Sequence, residues 1–236
     1  MHVPDGFLDA PTSVATGVIA VAGVALALRG ARRELDDRTA PMAGLVATFV
    51  FAGQMMNFPV GAGTSGHLLG GALAAVLVGP WTAVLCLSTV LLVQALFMAD
   101  GGITAIGTNV TLMGLVGVGV GWLVFAGVRA ILPRRLGLVA PAAAVGALVS
   151  VLAAAAVFTL LFAVGGTAPI ATEKVLVAML SWHTVIGLGE ALITGLVVSS
   201  VIAARPDLVY GARPAMGKRT LELRRSADTV EAGETT

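Results

Sequence analysis

The residues of this chain best placed to do chemistry are its first two. At a free N-terminus, Met1-His2 offers a terminal amine, the backbone N–H of residue 2 and the imidazole of that same residue. These three nitrogens can close two fused rings on one ion. Initiator Met is normally removed only when the second residue is small, so the bulky His2 predicts that Met1 stays and its amine is the chain end. Many chains begin Met-His without any such role, so the chelator reading depends on surroundings that would use it. His67 and His183 are the other two histidines.

Those surroundings are a membrane. The chain is 57% hydrophobic and 11% charged, with mean hydropathy +0.96, a composition no water-soluble domain of this length carries without large exposed apolar patches. Apolar runs cover residues 10–28, 42–56, 67–78, 81–99, 110–132, 138–164 and 182–204. Backbone groups in lipid must be satisfied internally and no alternating barrel strands are evident, so the runs predict an all-α polytopic bundle of about seven transmembrane helices. Cys86 is the only cysteine, which excludes a disulfide framework or a Cys-based zinc site.

Basic residues orient the bundle. Arg29, Arg32, Arg33 and Arg38 follow the first run; Arg129, Arg134 and Arg135 the fifth; Arg205, Arg213, Lys218, Arg219, Arg224 and Arg225 the last. Seven alternating spans put all three clusters on one face and leave only Lys174 on the other. The positive-inside rule then places the N-terminus outside and the C-terminus in the cytoplasm. No Lys or Arg precedes the first run, so a cleaved signal peptide lacks its charged n-region and Met1-His2 is expected to survive. Three parts follow: an N-terminal metal-chelating segment 1–9 inserted into the bundle, the bundle 10–204, and a polar, largely disordered cytoplasmic tail 205–236.

In this topology every histidine lies at or beside an outer segment end, and Asp5, Asp9, Asn57, Thr64, Ser65, Asp100, Thr108 and Asn109 collect there too. Ionisable groups at membrane depth usually face the bundle interior and mark ligand or ion pathways. The twelve residues 67–78 reach only about 18 Å as a helix against a hydrocarbon core of roughly 30 Å. Residues 57–66, and much of 100–109, must therefore dip into the bilayer, which irregular backbone does only where it is buried or lines a cavity. On position alone a helix-capping structural histidine is the plainer reading of His67. The short helix instead puts it at the floor of an outward pocket that segment 1–9 would fill.

The amine of Met1, the amide nitrogen and imidazole of His2, and a fourth nitrogen from His67 would make an all-nitrogen, near-planar set. Such a set suits Ni²⁺, Cu²⁺ or, less commonly, Co²⁺, and disfavours tetrahedral Zn²⁺ and oxygen-seeking Mg²⁺ or Ca²⁺. Use of the amide nitrogen requires loss of its proton, so binding should release protons and weaken in acid. Asp5, Asn57, Asp100 and Asn109 are candidates to orient the imidazoles. His183 and Glu190, seven apart on one helix face, favour a structural or interface role over ligation. Met55, Met56 and Met98 read as helical filler rather than a Cu⁺ path.

The segments MHVPDGFL (1–8), GTSGHLLGG (63–71), ADGGITAIGTNVTLMG (99–114) and HTVIGLGEALITG (183–195) resemble the motifs of the CbiM/NikM family. These are the substrate-capture membrane subunits of energy-coupling factor (ECF-type) ABC transporters for cobalt and nickel. The resemblance covers residues 1–205. It implies that Met1, His2 and His67 hold the transported ion, the same three residues the nitrogen count selects. It also implies import of Co²⁺ supplying cobalamin biosynthesis, or alternatively of Ni²⁺, with no cofactor bound for catalysis. The partners it implies are a transmembrane coupling subunit, ABC-type ATPase subunits and a small accessory membrane subunit, here expected as a separate chain.

The rest of the chain agrees with a capture subunit. There is no GxxxxGK[ST] loop: Gly217-Lys218 is followed by Arg219 in the polar tail, so ATP hydrolysis is expected in partner subunits. No HExxH motif supports a membrane metalloenzyme, and an ion-coupled secondary transporter would normally show an internal repeat, with only Glu190 near mid-membrane to suggest one. Gly117-x-x-x-Gly121 predicts close helix packing, within the bundle or against a partner.

Overall fold

The computed structural model describes residues 2–35, 39–61 and 64–216. Met1, Arg38, Gly63, Lys218, Arg219, Arg224 and Arg225 lie outside the described residues, as does the acidic end of the tail. Among the described residues seven helical rods form the bundle: α1 (Ala10–Ala31), α2 (Ala40–Gln54), α3 (Gly71–Val78), α4 (Pro80–Phe97), a rod made of α5 (Ile106–Asn109), a π-helical stretch Val110–Gly117 and α6 (Val118–Ile131), then α7 (Val139–Gly165) and α8 (Thr172–Ala204). Five are long and apolar enough to cross a membrane and α2 is a shorter apolar helix. The protein is a multi-pass helical membrane protein.

Two boundaries differ from the apolar runs. Run 182–204 predicts a helix of 23 residues, whereas α8 has 33 and starts at Thr172 with Glu173 in its first turn. Apolar character marks what faces lipid, and a helix continues past that limit until something breaks it. Here Pro169 lies in the preceding loop, which runs on to Ala171, the residue before α8. At α3 the opposite occurs. Residues 67–70 are not helical, and α3 begins only at Gly71, after Gly70 adopts φ +76° with Val50 packed against it. Preceding it is a two-stranded antiparallel hairpin, β1 (Phe58–Gly61) with β2 (Thr64–Gly66), in which Phe58 pairs with Gly66. Strand pairing therefore occupies part of the segment 57–66 that the helix-length argument left non-helical.

All eight residues of α3 are buried. Small residues permit it: a Cβ on Gly71 would sit 2.8 Å from the Gly117 carbonyl carbon, and one on Gly121 2.7 Å from the Ala72 Cβ. The Gly117/Gly121 pair therefore serves packing inside the bundle, bringing backbones into direct contact where lipid offers no hydrophobic drive.

The chain after α8 is not free from residue 205 as its polarity suggests. Pro206–Leu208 and Tyr210–Ala215 are 3₁₀ turns, with Val209, Gly211 and Ala212 buried against the bundle. A Cβ on Gly211 would lie 2.8 Å from Phe125 Cζ. The single glycine is what lets this polar segment fold back.

Candidate metal centre

Residues 2–9 form an extended plug fixed at several points. Asn109, at the end of α5, grips Val3 both ways: its Oδ1 accepts the Val3 N–H at 2.7 Å and its Nδ2 donates to the Val3 carbonyl at 3.2 Å. The same carbonyl accepts the Gly102 N–H at 2.9 Å. Asp5 Oδ1 accepts the Thr104 N–H at 2.7 Å and its hydroxyl at 2.6 Å, which holds the carboxyl below its usual range. Leu8 bridges Gly166, and the Asp9 N–H donates to the Gly165 carbonyl at 2.7 Å. Phe7 packs its ring on Phe158 and Phe162 of α7. Asp9 then caps α1, accepting the Thr12 N–H at 2.9 Å.

This plug carries His2 onto His67. The two rings stack with centroids 4.4 Å apart, His2 buried and His67 with no exposure at all. His2 Nε2 lies 3.2 Å from Gln94 Oε1, and His2 Nδ1 3.1 Å from Asp100 Oδ1. When Nε2 carries the proton and donates to Gln94, Nδ1 presents a lone pair to a carboxylate oxygen. Two acceptors facing each other need a proton or a cation between them. Burial holds the His2 imidazole below its usual pKa against the raising pull of Asp100, so its neutral, ligand-competent form is favoured. Asp100 in turn is held low by its contact with His2 and accepts Asn57 Nδ2 at 2.9 Å.

His67 is set by its own backbone. Its Nδ1–H donates to the Leu68 carbonyl at 2.7 Å, which leaves the buried Nε2 as a bare lone pair without a partner. A ring N–H committed to a carbonyl fixes tautomer and orientation, as metal-ligating histidines require. His183 repeats the arrangement on α8: Nδ1–H donates to the Met179 carbonyl at 2.7 Å, and its buried Nε2 has no hydrogen-bond partner.

Beneath His67, Glu190 does structural work. Its carboxylate accepts the Leu69 N–H at 2.7 Å and the Gly70 N–H at 2.9 Å, while Gln54 Nε2 donates to the Leu69 carbonyl at 2.8 Å. The non-helical backbone after His67 is thereby satisfied deep in the bundle. Among the described residues, no group of three or more His, Cys, Asp or Glu side chains could hold a metal ion. The His2 and His67 imidazoles are nevertheless brought together, ring face to ring face.

Of the sequence candidates, Asp5, Asn57, Asp100 and Asn109 all touch the plug, His2 or Asp100. Gln94 and Gln54 were missed. A lone amide in each of two apolar runs was the available signal, since polar side chains at membrane depth need buried partners. Replacing Asn109 with Ala removes both clasps on Val3, and metal affinity is expected to fall by ~10–100-fold, the effect typical of losing a group that positions a ligand. Isothermal titration of the purified variant checks this.

The family model described as "Cobalt uptake substrate-specific transmembrane region", CbiM, matches residues 2–208. A putative metal transport protein of Haloquadratum walsbyi is 39% identical over 89% of this chain and 94% of its own length. The fused nickel transport protein NikMN of Rhodobacter capsulatus is 38% identical over 94% of this chain and 68% of its own. A crystal structure of a truncated transition metal transporter superposes with a TM-score of 0.80 at 29% identity, covering 86% of this chain and 99% of that one. With its motifs, its bundle and its paired buried imidazoles, the chain belongs to the CbiM family of substrate-specific transmembrane components of cobalt and nickel transport.

Proposed function

We propose that the protein captures Co²⁺ from outside the cell as the substrate-binding component of an ECF-type ABC importer, the ion being held by the Met1 amine, the His2 amide nitrogen and imidazole, and His67 Nε2. The stacked His2/His67 pair carries this reading. Two imidazoles leave a four-coordinate ion two donors short, and the chain end beside His2 can supply both as nitrogen. The all-nitrogen set also suits Ni²⁺, and nickel is what the NikMN relatives are named for. Release to the cytoplasm, on the arginine-rich side, would be driven by ATPase and coupling subunits, with a small accessory subunit as a further partner.

His2→Ala and His67→Ala are each expected to abolish stoichiometric Co²⁺ binding in the purified subunit, read by metal analysis and titration. Normal binding in either variant would remove the ligand assignment. Competition of Co²⁺ with Ni²⁺ on the same sample decides the cargo. In vesicles, uptake is expected with ATP and the partner subunits present, and uptake driven by an ion gradient alone would overturn the importer reading.

A further inference from the structure

At the end of the bundle opposite His2 and His67, four arginines from three separate segments line one cavity of about 420 Å³. Arg33 comes from the turn after α1, Arg129 and Arg134 from the end of α6 and the loop beyond it, and Arg213 from the 3₁₀ segment that folds back after α8. Trp122 and Tyr210 share the lining, and no acidic residue does. The nearby Glu34 spends its carboxylate on α4, accepting from Thr82 N at 2.7 Å, Thr82 Oγ1 at 2.9 Å and Trp81 N at 3.2 Å. Among the described residues none of the four guanidinium groups forms an ion pair.

We propose that this cavity binds the phosphodiester headgroup of an anionic phospholipid, seated against Arg129 and Arg213. A general excess of positive charge on this side asks only that arginines be present. It does not ask that they converge, and Arg32 and Arg135, on the same edge, stay outside the cavity. Two of the four are held in place: Arg129 Nη1 donates to the Pro133 carbonyl at 3.1 Å, and the Arg213 guanidinium sits 4.8 Å over the Tyr210 ring. Each keeps further N–H groups for phosphate oxygens, which planar guanidinium groups bind in pairs. The Gly211 contact with Phe125 is what brings Arg213 back to Arg129.

A lipid rather than a free anion suits the rest of the wall. Trp122 packs on Tyr210 at 5.6 Å and on Phe125 at 5.3 Å, giving an aromatic surface at the depth where Trp and Tyr meet headgroups and glycerol. Basic pockets between spans on the positively charged side are the setting in which anionic headgroups are held.

The test uses the full chain in neutral detergent, with native mass spectrometry after addition of phosphatidylglycerol or phosphatidylcholine. Retention of phosphatidylglycerol over phosphatidylcholine is expected. The Arg129→Gln/Arg213→Gln variant should hold phosphatidylglycerol ~30-fold more weakly, from roughly two surface charges lost, with Co²⁺ stoichiometry and thermal midpoint unchanged. Should that variant fold poorly, the exposed Arg134→Gln alone should cost ~5-fold. Equal retention of the two lipids, or unchanged retention in folded variants, would overturn the proposal. Displacement of phosphatidylglycerol by millimolar inorganic phosphate would also overturn it, assigning the site to a free anion.

Discussion

Blocking the chain terminus is expected to abolish metal binding while leaving the bundle folded. A Gly-Ser-Gly-Ser extension ahead of Met1 converts its amine into an amide and so removes that nitrogen from the proposed ligand set. The loss should exceed the ~10–100-fold that removing a positioning group costs, because a proposed ligand itself is lost. The fold should survive, since the plug is anchored from Val3 onward by Asn109, Gly102, Thr104, Gly165 and Gly166. A four-residue extension is preferable to a single one, because one added residue moves the imidazole to position three and creates a different self-contained nitrogen chelator. Proteolytic removal of the extension, restoring Met1, should restore binding. Normal Co²⁺ titration of the extended protein, with an unaltered midpoint, would show that the terminus is no ligand.

Glu190→Ala is expected to be the most destabilising single substitution in the site. It strips two buried backbone N–H groups, Leu69 and Gly70, of their acceptor. Each buried unsatisfied group costs about 1–3 kcal/mol, so the variant should lose about 2–6 kcal/mol and its thermal midpoint in detergent should drop accordingly. Because Leu69 is two residues from His67, Co²⁺ affinity should fall with it. Glu190→Gln keeps one oxygen acceptor and should fall between Ala and the parent on both measurements. An Ala variant that unfolds with the parent midpoint and binds Co²⁺ normally would show that the contacts carry little energy.

The two glutamines show why part of the site was hard to read. Gln54 and Gln94 stand alone in apolar runs, and their partners are a carbonyl and an imidazole brought from 15 and 92 residues away. Spacing reports faces of one helix and says nothing about which other helix arrives opposite. Glu190 was legible as structural or interfacial, yet its contacts at the start of α3 are with residues 120 and 121 positions earlier in the chain. His183 shows the converse limit. Its position in an apolar run predicts burial, and only the bundle shows that its Nε2 is left without a partner.

By itself the sequence determined the things that local composition controls: the membrane, the number of rods, the clustering of the arginines after three of the apolar runs, and the chemistry available at Met1, His2 and His67. These follow from transfer free energies and covalent geometry, which need no knowledge of neighbours. Tertiary structure alone decided that Phe58–Gly61 pairs with Thr64–Gly66, that Gly71 and Gly121 bring backbones into contact, and that the plug delivers the His2 ring to 4.4 Å from His67. Such contacts join distant parts of the chain. What selects them is packing shape and the need to satisfy every buried polar group, and both exist only once the whole bundle is assembled.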